Sequence, residues 1–90
     1  MPTIQLRPAF IRAASKFTRK NNSRKEAVTR ALQRFQEDPD YPALHLGKLS
    51  GIKTWTIRVD DGNRMFFVWS DKGDIAIFFH IGSHDSYKTM

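Results

Sequence analysis

The chain has 90 residues, enough for one domain with a single core and too few for two. It contains no cysteine, which excludes a disulfide framework and a thiolate metal site and suits a reducing compartment. Fifteen Lys and Arg against nine Asp and Glu leave a net charge of +6, which points to a polyanionic partner, either nucleic acid or an acidic protein segment.

The opening "MPTIQLRP" has no basic region followed by a long apolar stretch, so no signal peptide is expected. No later run approaches the roughly 20 apolar residues of a membrane span, and a cytoplasmic location is expected. Within the opening, "TIQL" alternates Ile4 and Leu6 between two prolines and predicts an edge strand. Over residues 9–20, Phe10, Ala13, Ala14 and Phe17 recur at helical spacing, with Arg12, Lys16, Arg19 and Lys20 mostly on the other side. "NNSRKEAV" then breaks and restarts the helix. Ser23 and Glu26, three residues apart, fit a capping box. The second helix carries Val28, Ala31, Leu32 and Phe35 on one stripe and stops at "EDPDYP". A helical hairpin with a basic outer surface results.

"ALHLGKLSGI" has no sustained period and reads as a loop anchored by Leu44, Leu46 and Leu49. Three strands follow, over residues 53–59, 63–69 and 74–81. The turns "VDDGN" and "SDKGD" each suit a three-residue loop, 60–62 and 71–73, with glycine in the left-handed position. That register sets Arg58 opposite Arg64, Arg64 opposite His80 and Val68 opposite Ala76. It gathers Trp55, Ile57, Met65, Phe67, Trp69, Ile75, Ile77, Phe79 and Ile81 on the face the helices cover. The other, uncovered face then presents Arg58, Arg64 and His80 flanked by Phe66, Val68 and Phe78. Two guanidiniums and an imidazole side by side, without a carboxylate between them, repel one another unless something anionic lies across them.

The fold class is therefore α+β: an N-terminal edge strand, a helical hairpin and a three-stranded antiparallel meander, as one domain over residues 1–90. This order, with "HLGKLSGIKTWTIRVDDGNRMFFVW" and "IAIFFHIGSHDSY", resembles the RelE/ParE superfamily of bacterial toxins. The shared pattern is a Leu-x-Gly segment, a strand mixing aromatic and basic residues, an Arg-apolar-aromatic strand start and a terminal Gly-x-His-x-x-aromatic. The resemblance implies the toxin of a toxin–antitoxin system, held inactive by a cognate antitoxin. In the RelE-like branch it implies an endoribonuclease that cleaves mRNA on the ribosome by 2′-hydroxyl attack, with no metal and no cofactor.

Carried over by position, the resemblance makes Arg64 the stabiliser of the transition-state phosphate, His84 the acid or base, and Tyr87 a stacking or phosphate-donating group. His45 and Lys48 lie in the loop where some relatives carry a base or a phosphate contact. Arg58 and His80 join them as RNA or phosphate contacts from the strand register. The family's loop glutamate and dense lysine cluster have no counterpart here, which leaves the general base open. Structural alternatives stand beside each role: a turn arginine for Arg64, an idle exposed side chain for His84, a carbonyl partner for His80 and terminal packing for Tyr87. His80 and His84 would share a face only on a helix, so "HIGSHD" is not expected to bind metal. Two rival functions remain. One is a ParE-like toxin that inhibits DNA gyrase without acid–base chemistry. The other is an inactive toxin-like component of a repressor complex. The antitoxin is expected at the apolar margin of Phe66, Val68 and Phe78, or as a strand added to "TIQL".

Overall fold

The computed structural model describes residues 2–83 and Ser86. The elements are β1 (Thr3–Leu6), α1 (Pro8–Thr18), α2 (Asn22–Glu37), a 3-10 turn (Pro42–Leu44), β2 (Gly47–Lys48), β3 (Trp55–Asp60), β4 (Asn63–Trp69) and β5 (Ile75–Ser83). The strands form one five-stranded sheet in the order β1-β5-β4-β3-β2. β1 is an edge strand, as expected, and runs parallel to β5, whereas the other pairs are antiparallel. The predicted edge strand, helical hairpin and meander are all present. The two-residue β2 lies within the segment read as a loop, too short for any period to reveal it.

Pro8 opens α1 at a position whose N–H would be unpaired in any case. The helix ends as Lys20 enters the left-handed region at φ 54. The expected Ser23–Glu26 box does not form. Asn21, two residues earlier, holds the extended backbone of an N-cap, and its Oδ1 accepts from the Arg24 N–H at 3.1 Å. The Arg24 guanidinium lies over the Phe17 ring at 4.4 Å and donates to the Phe17 carbonyl at 3.2 Å, tying the start of α2 to the end of α1.

Phe10, Val28, Ala31 and Phe35 from the helices meet Ile57, Met65, Phe67, Ala76, Phe78 and Ile81 from the sheet in a single core. Phe35 is fully buried at its centre. Its ring lies 5.1 Å from Phe67, 5.6 Å from Phe78 and 5.9 Å from Trp69. Phe67 and Phe78 are themselves 4.9 Å apart, and Phe10 approaches Phe78 edge-on at 5.8 Å.

The predicted register of β5 is corrected at two points. The Ser70 N–H donates to the Ile75 carbonyl at 2.8 Å, so the second loop is residues 71–74, one residue longer than the turn pattern suggested. Asp74 stays in the loop, where its carboxylate accepts from the Ser70 hydroxyl at 3.0 Å, and Gly73 takes the left-handed conformation at φ 74. This shift turns Ala76 and Phe78 into the core in place of Ile75 and Ile77. A bulge then interrupts the ladder, because Phe67 pairs with Phe78 while Phe66 pairs with His80. Phe79 is the extra residue, and beyond it Ile81 faces the core as expected. The first hairpin keeps Arg58 opposite Arg64 but pairs Asp60 with Asn63 across Asp61 and Gly62, and Gly62 does not adopt a positive φ.

The bulge makes an expected outcome for truncation clear. Phe78→Ala should cost about 3–5 kcal/mol of stability. Phe79→Ala should cost less than about half of that, because its side chain lies outside the aromatic core. Urea denaturation of both variants measures the difference; equal losses would contradict the observed register.

Candidate functional site

The face of the sheet away from the helices carries Thr56 and Arg58 on β3, Arg64, Phe66 and Val68 on β4, and His80 and Gly82 on β5, with Thr54 just before β3. Arg58 and Arg64 are directly opposed, as the sequence indicated. His80 shares their face but stands opposite Phe66, and Gly82 takes the place opposite Arg64. The longer loop and the bulge, each of which alters the register, together return His80 to the expected side.

The face is not uncovered. Phe66 is fully buried, and Thr56 and Thr54 are buried beside it. Phe78 belongs to the opposite side, within the core. The apolar margin of Phe66, Val68 and Phe78 therefore does not exist as an exposed seat for a partner.

Arg58 is ion-paired with Asp61, three residues on in the hairpin turn. The Asp61 side chain is 97% exposed, so the pair is solvated and weak. This carboxylate corrects the expectation of an arginine row with no acidic group beside it. Arg64 is half-buried and, among the described residues, meets no carboxylate.

His80 is held on both sides. Its ring packs at 5.4 Å from Phe66, and its Nε2 lies 3.0 Å from the Ser86 hydroxyl. The Ser86 hydroxyl donates its one proton to the Ser83 carbonyl at 2.7 Å, so Nε2 is the donor to Ser86 and carries the hydrogen. Burial disfavours the charged imidazolium and pushes the His80 pKa below the ordinary 6.5. His80 is thus a neutral clamp on Ser86 rather than a third cation. Gly82 makes the clamp possible, because a Cβ there would lie 3.0 Å from Ser86 Oγ and 3.2 Å from His80 Nε2. Ser86 and the packing role of Gly82 escaped the sequence reading; a small residue two positions after a strand histidine was the only local signal.

The remaining predicted residues are dispersed or lie elsewhere. Lys48 pairs with Trp55, whose side chain packs on the core, so its register position is on the helix side of the sheet edge, away from the arginine pair. His45 is exposed in the left-handed region at φ 47, just after the 3-10 turn. His84 and Tyr87 lie outside the described residues. Among the described residues, no group of three His, Asp or Glu side chains is placed to hold a metal ion. No described helix is long and apolar enough to cross a membrane.

The fold is that of the RelE/ParE-type toxins. The chain matches a YoeB/ParE toxin from Agrobacterium tumefaciens with a TM-score of 0.74 at 13% identity, covering 91% of this chain and 98% of the other. A YoeB–YefM complex from Staphylococcus aureus matches with a TM-score of 0.71 at 13% identity, covering 93% and 98%. YafQ from E. coli strain BL21(DE3) matches with a TM-score of 0.72 at 12% identity, covering 97% and 98%. No protein-family model matches the sequence, and no curated protein sequence does.

The His80 clamp has a pH signature. A pKa lowered by folding contributes stability that is fully present above the unfolded value near 6.5 and is lost as pH falls through the lower folded value. The melting temperature should therefore drop as the pH is taken from about 7.5 to about 5. His80→Gln, which keeps a donor but cannot titrate, should flatten that part of the curve in a calorimetric pH series.

Proposed function

We propose that this protein is the toxin of a toxin–antitoxin system and a metal-independent endoribonuclease acting on mRNA at the ribosome. The observation that carries this reading is the Arg58–Arg64 pair on one sheet face of a fold shared with YoeB-type toxins. Two opposed guanidiniums, of which Arg58 is held by the solvated Asp61, suit a phosphodiester, which offers each a charged, bidentate acceptor.

In the proposed reaction a base removes the proton from the 2′-hydroxyl, and the 2′-oxygen bonds to the adjacent phosphorus. The bond from phosphorus to the 5′-oxygen breaks, and an acid protonates that leaving oxygen. A 2′,3′-cyclic phosphate and a free 5′-hydroxyl result. Arg64 stabilises the charge that builds on the pentacoordinate phosphate, and Arg58 positions the chain beside it. His84 serves as acid or base and Tyr87 as a stacking or donating group, both by analogy with the terminal motif of the family. His80, being neutral and already donating to Ser86, supports the site by holding Ser86 rather than by contacting phosphate. His45 and Lys48 contribute outer contacts to ribosomal RNA, where the Lys48 ammonium adds salt-sensitive affinity without sequence preference.

The partner that silences the toxin is an antitoxin protein; the Staphylococcus aureus structure holds YoeB together with YefM. The outer edge of β1, which pairs with no further strand among the described residues, is one place where such a partner adds a strand. A gyrase-directed toxin is the second reading, and the same fold accommodates it.

Purified protein, ribosomes and mRNA incubated with a chelator distinguish the two. Cleavage leaving cyclic phosphate ends is expected, and intact RNA alongside inhibited gyrase would reverse the assignment. Arg64→Ala should lower the cleavage rate by about 10²–10³ and His84→Ala by about 10²–10⁴. Both should relieve growth arrest on overexpression, and full toxicity in both would remove these residues from the site.

A further inference from the structure

The turn that joins β3 to β4 holds two adjacent carboxylates, and they have different tasks. Asp60 builds the turn: its Oδ1 accepts from the Gly62 N–H at 3.1 Å and from Asn63 Nδ2 at 2.8 Å. Asp61 builds nothing there. Among the described residues its carboxylate bonds only to the Arg58 guanidinium, through Nη2. The Arg58 side chain is 34% exposed against 97% for Asp61, so the guanidinium is the more fixed member of the pair and the carboxylate reaches it from solvent. Arg58 in turn stands directly opposite Arg64, which meets no carboxylate among the described residues. Like charges directly opposed on a sheet repel, and Asp61 relieves that repulsion while the face is empty.

A carboxylate and a phosphodiester on Arg58 compete for the same N–H donors. The single contact with a solvated carboxylate is weak, whereas a phosphodiester takes two donors from one guanidinium and reaches the opposed one as well. We propose that Asp61 is a built-in competitor for substrate: it occupies Arg58 in the free protein, yields to an RNA phosphate, and thereby sets the affinity of this face for the chain. That the displacing anion is RNA rests on the ribonuclease reading. Asp61 is a positioning residue with no part in proton transfer. With a cleavable substrate, Asp61→Ser should therefore lower KM and leave kcat unchanged, because the ion pair is already broken once substrate is bound.

The probe is a fluorescein-labelled single-stranded RNA carrying 2′-O-methyl groups, which lacks the attacking hydroxyl, titrated with the full chain by anisotropy at low salt. Asp61→Ser should tighten binding by about two- to fivefold, the span of an exposed ion pair. Asp71→Ser removes equal charge from an exposed position in the turn at the other end of β4 and should change affinity by less than about 1.5-fold. In an Arg58→Gln background the gain from Asp61→Ser should vanish, since its target is gone. Equal tightening by the two serine variants would assign the effect to net charge and overturn the proposal. So would a gain that survives Arg58→Gln, a loss of affinity on Asp61→Ser, or no binding to the wild-type chain. Unmodified mRNA on ribosomes separates this outcome from the wider reading. The full pattern in a chain that cleaves nothing keeps Asp61 as a competitor for RNA and refutes the ribonuclease. Cleavage with a KM that Asp61→Ser leaves unchanged does the reverse.

Discussion

The fold hangs on the contact of Phe35 with the rings of Phe67, Trp69 and Phe78. Each buried phenylalanine contributes about 1.5–3 kcal/mol through area alone, and ring pairs at these separations add about 0.5–1.5 kcal/mol. The cluster binds the helical hairpin to the middle of the sheet and dictates which side of β5 turns inward. Packing Phe78 between Phe10 and Phe35 requires a longer loop before β5 and a bulge after Phe78. With one face of the sheet committed to this core, function is confined to the other face and to the margins.

The other face joins two kinds of interaction. Its centre is built for order: Phe66 and the two threonines are buried, and a neutral histidine holds the Ser86 hydroxyl across a glycine. Its margin is built for exchange. Arg58 and Arg64 oppose one another across a hairpin, and Asp61, which pairs with Arg58, is solvated and weakly held. Neutral His80 beside this pair matters, because a third cation would add repulsion that the fold would have to overcome. An anion of any origin, phosphodiester or carboxylate, finds the arginines ready.

The sequence disclosed element types more faithfully than register. The spacing of Phe10, Ala13, Ala14 and Phe17, and of Val28, Ala31 and Phe35, defines two amphipathic helices because a helix must bury one stripe. Alternation on β3 and β4 placed Trp55, Ile57, Met65, Phe67 and Trp69 correctly. It failed on β5, where "IAIFF" is apolar on both sides and cannot report its own phase. Asp74 looked like a strand start but serves the loop, and a bulge leaves no periodic trace. The capping signal was misplaced for a similar reason: Asn21 and Ser23 are both good caps, and the clip of Arg24 on Phe17 favours the first.

Sequence alone determined a cysteine-free, basic α+β chain with an edge strand, a helical hairpin and a meander, and that Arg58 faces Arg64. Local periodicity and turn chemistry suffice for those features, because each depends on residues close in the chain. Tertiary structure alone decided that Phe78 rather than Phe79 enters the core and that His80 is a neutral clamp closed by Ser86. Those outcomes depend on which distant side chains compete for the same space and the same proton, and packing settles that competition only once the chain has folded.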